Sequence, residues 1–299
     1  MNRVRADENP EIMQWLSPLD PRRRHQEVST DRVDGVGNWL LEINEFREWM
    51  SNESGADKAV LFCCGSPGVG KTYLRCVPGW GREKELSLTA RNISSLVIDS
   101  LRDKVSEEGH AIVELYCDFR DQRGQTATNI MGAILKQLLD RREVLRGVQS
   151  AFRKAKKERG GQGLRLPDMV QMLKRAVARL PQVFICIDAL DECLPGHLLE
   201  LLESMKDILE ESPRMRVFIT GRPEVEAEII RYFTTAVIVP ISPKPHDIKR
   251  YLDNKLEMDP EPEAMSDTLR ADILRIILER VSKTCVGACI FPVPSRSLY

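Results

Sequence analysis

The most constraining stretch runs Ala59-Val60-Leu61-Phe62-Cys63-Cys64-Gly65-Ser66-Pro67-Gly68-Val69-Gly70-Lys71-Thr72. An apolar run with strand character enters a glycine-rich turn ending in Gly-Lys-Thr. Gly65 to Thr72 fits G-x-x-x-x-G-K-[ST], the phosphate-binding loop. Glycines let backbone N–H groups wrap a phosphate where a Cβ would clash. A following helix adds unpaired N–H groups and the positive end of its dipole. On this reading Lys71 reaches the β- and γ-phosphates and Thr72 ligates Mg²⁺. Ser66, Pro67, Gly68, Val69, Gly70 and Tyr73 complete the cradle. The plain alternative is a chance glycine-rich turn, and the strand before it argues against that.

A second stretch answers the first. Pro181-Gln182-Val183-Phe184-Ile185-Cys186-Ile187-Asp188-Ala189-Leu190-Asp191-Glu192 is nearly all apolar until its acidic end. Such a run suits a strand buried on both faces of a parallel sheet. Carboxylates at the carboxyl end of a buried strand sit where such sheets bind ligands. Asp188 would hold Mg²⁺ directly or through water. Glu192 would orient or deprotonate an attacking water, with Asp191 in support. An ordinary strand followed by an acidic helix start is the alternative, and the phosphate loop weighs against it.

Other segments supply the frame. His110 to Phe119, Arg216-Val217-Phe218-Ile219-Thr220-Gly221 and Ala236 to Ile241 read as three more strands. Helical periodicity follows Thr126, Pro167 and Leu198. Alternating strands and helices imply an open, mainly parallel five-stranded α/β sheet. At the tip of the Arg216 strand, Thr220 or Arg222 is placed to sense a γ-phosphate, a simple strand-end turn being the alternative. Upstream, Trp39, Leu40, Ile43, Phe46 and Trp49 recur at helical spacing. Either they form a core-facing helix, or Val36-Gly37-Asn38-Trp39 lies beside a nucleotide base, with Gly37 and Asn38 in contact. From Pro245 the pattern is all-helical, a small subdomain over residues 243–290. Residues 1–34 read as a polar linker or docking arm, and 291–299 as an aberrant proline-rich tail. The NTPase-like unit is 35–242.

The helix expected after Thr72 is broken. Arg75-Cys76-Val77-Pro78-Gly79-Trp80-Gly81 carries a proline and two glycines, a strong stop. Helical periodicity returns only at Ser95-Leu96-Val97-Ile98. Without Cys76 to Ser94 the chain reads Gly-Lys-Thr-Tyr-Leu-Arg-Ser-Leu-Val-Ile-Asp-Ser-Leu, one amphipathic helix. Residues 76–94 therefore read as an insertion. Their permitted codons include donor-like and acceptor-like ends, as a retained short intron would have. A genuine surface loop is the other reading.

Composition excludes some classes. The apolar share is 42%, enough for a core, and the formal net charge is −1. No global field recruits nucleic acid or a membrane surface. No stretch has the roughly 18 apolar residues of a membrane span. Eight cysteines sit mostly in apolar strands with no CxxC pair, so metal coordination by them is not expected. An intracellular, cytoplasmic and reducing setting is the expectation.

Taken together, Gly65 to Thr72, Ile185-Cys186-Ile187-Asp188-Ala189-Leu190-Asp191-Glu192-Cys193 and Phe218-Ile219-Thr220-Gly221-Arg222-Pro223 resemble a NACHT domain. The small residue after the first aspartate, followed by Asp-Glu, is characteristic. The flavour resembles that of fungal NOD-like receptors, including heterokaryon-incompatibility proteins, and the related nephrocystin-3-like NTPase modules. Trp15-Leu16-Ser17-Pro18 and Gly35 to Leu40 resemble the lead-in of that group. The resemblance covers roughly residues 12–288. It implies a signalling NTPase of the STAND type, with the Arg216 strand between the phosphate-loop strand and the Asp188 strand. It implies exchange of resting ADP or GDP for ATP or GTP with Mg²⁺, and self-association through this domain. Effector and repeat domains, which the family usually carries, are not found here, nor is the winged-helix part.

Two functional classes stay open. One is a nucleotide-gated switch with slow ATP or GTP hydrolysis. The other is a truncated, non-catalytic interaction scaffold, favoured by the broken helix after the loop. A small-molecule kinase is disfavoured, because no arginine-rich lid or acceptor pocket follows the second strand.

Overall fold

The computed structural model describes residues 8–30, 32–51, 57–65, 90–105, 109–139, 146–157, 163–242 and 244–257, with isolated positions between 268 and 276. Ser66 to Tyr73, most of the segment read as an insertion, most of the chain beyond 257 and the tail lie outside the described residues.

Five strands make one sheet: β1 (Val60–Gly65), β2 (Ala111–Tyr116), β3 (Val183–Asp188), β4 (Met215–Gly221) and β5 (Val237–Ile241). Their order is β2-β3-β4-β1-β5, and every pairing is parallel. The Arg216 strand thus lies between the phosphate-loop strand and the Asp188 strand, as the resemblance implies. β3 and β4 are buried throughout, which only helices on both faces allow.

The strand period of two divides the core. Val60 and Phe62, Ile185 and Ile187, Val217 and Ile219 face one side. There α6 (Ala127–Leu139), α7 (Arg146–Lys157), α8 (Leu166–Val177), α9 (Pro195–Glu211) and α10 (Glu226–Tyr232) add their apolar side chains to the same core. Leu61, Cys63, Phe184, Cys186 and Phe218 face the other side, against α4 (Asn44–Ser51) and α5 (Ala90–Val105). Trp49 anchors this second layer. It is 1% exposed, packs edge-on against Phe184, and donates Nε1–H to the Ala59 carbonyl at 3.1 Å. Truncating a buried aromatic of this size costs about 3–5 kcal/mol.

Three features depart from the sequence pattern. The single helix expected over Gly35 to Met50 is two pieces, α3 (Trp39–Glu42) and α4. Ile43 between them is extended, with φ −71° and ψ 150°. α5 begins at Ala90, before the expected Ser95, so Ser94 belongs to the helix. The amino-terminal arm is two docked helices, α1 (Glu8–Leu16) and α2 (Pro21–Thr30). Ile12, Leu16 and Val28 are buried in place. α1 runs so close to α6 that a Cβ at Gly132 would overlap the Leu16 carbonyl oxygen.

α2 is held by a polar network. His25 Nδ1 lies 2.7 Å from the Tyr116 hydroxyl, and Nε2 lies 3.0 Å from Asp99 Oδ1 on α5. A neutral ring serves both, accepting from Tyr116 and donating to Asp99. Arg32 donates to Asp99 Oδ2 at 2.7 Å, and Arg102 donates to the buried Glu114 carboxylate. Burial, then the Arg102 charge, hold the His25 pKa below its ordinary 6.5, against the raising pull of Asp99. The folded state therefore disfavours the proton that the unfolded chain accepts. This stabilisation is complete above pH 6.5 and is lost as the pH falls below it. The His25→Gln protein should unfold with a shallower pH dependence in that acid window, measured by denaturant titration at stepped pH. An unchanged slope would remove His25 from the account.

Candidate functional site

The carboxyl ends of β1, β4 and β3 lie side by side, bringing Gly65, the Thr220–Gly221 tip and Asp188 to one edge of the sheet. Register fixes this: Cys64 pairs with Gly221, and Ile187 with Ile219.

Asp188 is fully buried. Its Oδ1 accepts from the Ser94 hydroxyl at 2.6 Å and from the Thr220 hydroxyl at 2.8 Å. Ala189 then takes a left-handed turn, φ 52°, unusual for a residue with a side chain. That turn aims the Ala189 N–H at Thr220 Oγ1, 2.9 Å away. Thr220 is thereby used twice, and its hydroxyl is committed to Asp188 and the turn. The sequence offered it as a phosphate sensor; in this arrangement it orients the aspartate.

The two acids that follow go to separate partners. Asp191 Oδ2 is 3.0 Å from Arg222 Nε, and its Oδ1 accepts from the Arg222 backbone N–H at 3.2 Å. Gly221 is needed there: a Cβ would crowd Val225 at 3.1 Å and Phe62 at 3.2 Å. Glu192 is buried and its Oε2 accepts from the Phe119 N–H at 3.0 Å. Gln122 adds a hydrogen bond to the Glu192 carbonyl at 3.0 Å. The turn after β2 therefore clamps Glu192. Asp118, in the same turn, is held down to about 2 by the hydrogen bond from the Arg120 side chain.

Gly37 and Asn38 lie at the start of α3, apart from these acids in the chain. Gly37 has φ +85°, a conformation that favours glycine, and its N–H donates to Asp247 Oδ2 at 3.3 Å. Asp247 opens α11 (Pro245–Glu257), the first helix of the carboxyl-terminal helical region. A Cβ on Gly37 would reach Ile93 and Leu96 of α5. The Gly37 turn thus joins α5 to α11. Ser66, Pro67, Gly68, Val69, Gly70, Lys71, Thr72 and Tyr73 lie outside the described residues, while Gly65 marks where the loop leaves the sheet.

Ser94 was not identified from sequence as a site residue, because it falls in the segment read as inserted. The signal was Ser94-Ser95 on an otherwise apolar helix face, both fully buried. The Phe119 and Gln122 clamp was likewise missed, since contacts over that sequence distance leave no local pattern.

A parallel sheet in this order, a glycine-rich loop leaving β1 and an aspartate ending β3 define a NACHT-like P-loop NTPase fold. The chain belongs to the nephrocystin 3, N-terminal family, whose model matches residues 35–77 and 92–222, more than half of the sequence. The match passes over residues 78–91. No curated protein matches the chain. Among solved structures, the Walker-type ATPase PABY2304 of Pyrococcus abyssi is similar at 14% identity, over 86% of this chain and 75% of its own, with a TM-score of 0.41. Cdc6p of Pyrobaculum aerophilum is similar at 15% identity over 82% of this chain and 53% of its own, TM-score 0.43. The Orc1 protein of Aeropyrum pernix, solved in complex with DNA, is similar at 16% identity over 92% and 64%, TM-score 0.43.

Thr220→Val keeps the shape but removes the hydroxyl that serves two buried groups. It should lower stability by about 1–3 kcal/mol, because the Ala189 N–H loses its acceptor and Asp188 a donor. Denaturant unfolding of the two proteins checks this.

Proposed function

We propose that this chain is a nucleotide-gated switch. It binds Mg²⁺ with ATP or GTP at the carboxyl edge of the sheet, hydrolyses it slowly, and rests with ADP or GDP. The observation that carries the reading is the alignment of Gly65, Thr220 and Asp188 across three adjacent strands, with a buried, hydroxyl-oriented carboxylate at its end. Oxygen donors of this kind suit a hard divalent cation. Asp188 and Thr72 would hold Mg²⁺, which when bound neutralises charge on the phosphates. Lys71 and the amides of Gly65 to Tyr73 would grip the phosphates. Glu192 orients water once it turns from the Phe119 N–H, and Asp191 with Arg222 responds to the γ-phosphate. Gly37 and Asn38 lie beside the base, near α11, so nucleotide exchange would alter how the helical region docks. Binding energy for the triphosphate then shifts a closed–open equilibrium. Self-association of the open form, in signalling of the fungal NOD-like kind, completes the reading.

We further infer that the segment 76–94 contains an insertion, whether a retained short intron or a surface loop, with Ser94 itself part of the packed helix. The gap in the family match at 78–91 supports this. The scaffold reading draws on the same observation, since an insertion between loop and helix weakens phosphate binding.

Nucleotide titration separates the two classes. Binding in the micromolar range that Lys71→Ala abolishes supports the switch; no binding at millimolar nucleotide supports the scaffold. The chain lacking residues 78–91, a deletion that keeps Ser94 on Asp188, should bind at least tenfold more tightly than the intact chain. Equal binding and turnover by the two would refute the insertion.

A further inference from the structure

Two thiols meet beside the acidic turn. Cys117 directly follows β2, and Cys193 directly follows the Leu190–Glu192 turn. Their sulfurs are 3.3 Å apart, although the residues are 76 apart in sequence. Both are buried within the same sheet-face core. Each is fixed from its backbone: the Cys117 N–H donates to the Asp188 carbonyl at 3.0 Å, and the Cys193 N–H to the Leu190 carbonyl at 3.2 Å. Cys63 and Cys64, by contrast, are neighbours in β1 whose side chains enter opposite cores. Cys186 lies on the face of β3 away from the Cys117 pair.

We propose that Cys117 and Cys193 are an oxidisable dithiol, which a peroxide converts into a disulfide tying the end of β2 to the acidic turn. In the first step one thiolate attacks a peroxide oxygen, giving a sulfenic acid and releasing hydroxide. The second thiolate then attacks that sulfur, forming the S–S bond and expelling hydroxide. The two protons lost by the thiols turn both hydroxides into water. Two thiols are oxidised by two electrons, and one hydrogen peroxide is reduced to two waters. The bond needs a sulfur separation of about 2 Å, so the side chains close by little more than ~1 Å between them. The hydrogen bond with Cys193 and then burial push the Cys117 thiol up, and burial also restricts access of the oxidant, so the reaction is slow in the resting fold but confined to a preformed partner.

The position gives the bond a consequence. Glu192 adjoins Cys193, and its carboxylate is held by Phe119, two residues beyond Cys117. A cross-link covalently joins the two segments that hold Glu192. On the switch reading of the preceding section, it would fix the water-orienting residue in its clamped position.

The test is a peptide map of the native, full-length protein after hydrogen peroxide treatment and alkylation of free thiols, digested without reductant. The expected result is one cross-linked pair, the Cys117 and Cys193 peptides joined with loss of two hydrogens and separated by a thiol reductant. Cys63, Cys64 and Cys186 should remain alkylated. Cys117→Ser and Cys193→Ser, each near-isosteric, should abolish the cross-link. Each should leave the remaining thiol as a sulfenic acid that a 1,3-dione traps. Full alkylation of both thiols after prolonged peroxide, a sulfinic acid at either, pairing with another cysteine, or a cross-link formed only in denaturant would each overturn the proposal. The map reads the pairing whether or not the protein turns over nucleotide, so loss of the switch reading leaves this one standing, and the converse.

Discussion

A carboxylate removed from water at the end of a central strand is the constraint around which this molecule is built. Asp188 is fully buried, and burying such a group without partners costs several kcal/mol. The offset comes from hydroxyls on two other elements, Ser94 of α5 and Thr220 of β4. One side chain therefore ties β3, its neighbouring strand and the helix above them. The left-handed Ala189 turn follows from the same demand, since it delivers the Ala189 N–H to the oxygen Thr220 has left. Strand order matters for the same reason. Only with β4 between β1 and β3 does a threonine at the tip of β4 meet the aspartate of β3 while its neighbour Gly221 pairs with β1.

The three acids of this edge avoid one another by separate commitments. Asp188 takes hydroxyls, Asp191 takes the Arg222 guanidinium, and Glu192 takes a backbone N–H from the β2 turn. On the switch reading these commitments also define what must change. A phosphate near Arg222 competes with Asp191 for a half-exposed guanidinium, and water near Glu192 competes with the Phe119 N–H.

How much of this was legible follows from where each signal resides. β1 and β3 were readable because a strand buried on both faces leaves an unbroken apolar run. The Asp188, Asp191 and Glu192 positions were readable because they interrupt such a run at its end. Sheet order came from the resemblance, not from periodicity, which carries no information on which strands pair. The break at Ile43 was hidden because its apolar residues keep helical spacing on both sides, although its own backbone is extended. The docking of α2 was hidden for a different reason. Its mean composition is strongly polar, PRRRHQEVST, and its hold on the body is a histidine shared with Tyr116 and Asp99 rather than an apolar stripe. Ser94 and the Phe119 clamp are contacts between residues more than seventy positions from their partners, beyond any local pattern.

The same sheet face bears on the interrupted loop. A phosphate loop gains affinity when its glycine-rich turn runs directly into a helix, because loop amides and helix amino terminus then act on one anion. That helix must lie over the sheet beside β1. Here α5 lies over the sheet, burying Val97, Ile98 and Leu101 against Phe184, Cys186 and Phe218, with Ser94 on Asp188. Leu40, Phe46 and Trp49 fill the rest of that layer. On the insertion reading, a phosphate-loop helix continuous with α5 would serve both the packing and the anion chemistry. The residues the family match passes over, 78–91, lie across that junction. On the insertion reading, the proline and glycines after Arg75 interrupt a sequence pattern that would otherwise run from the phosphate loop into α5.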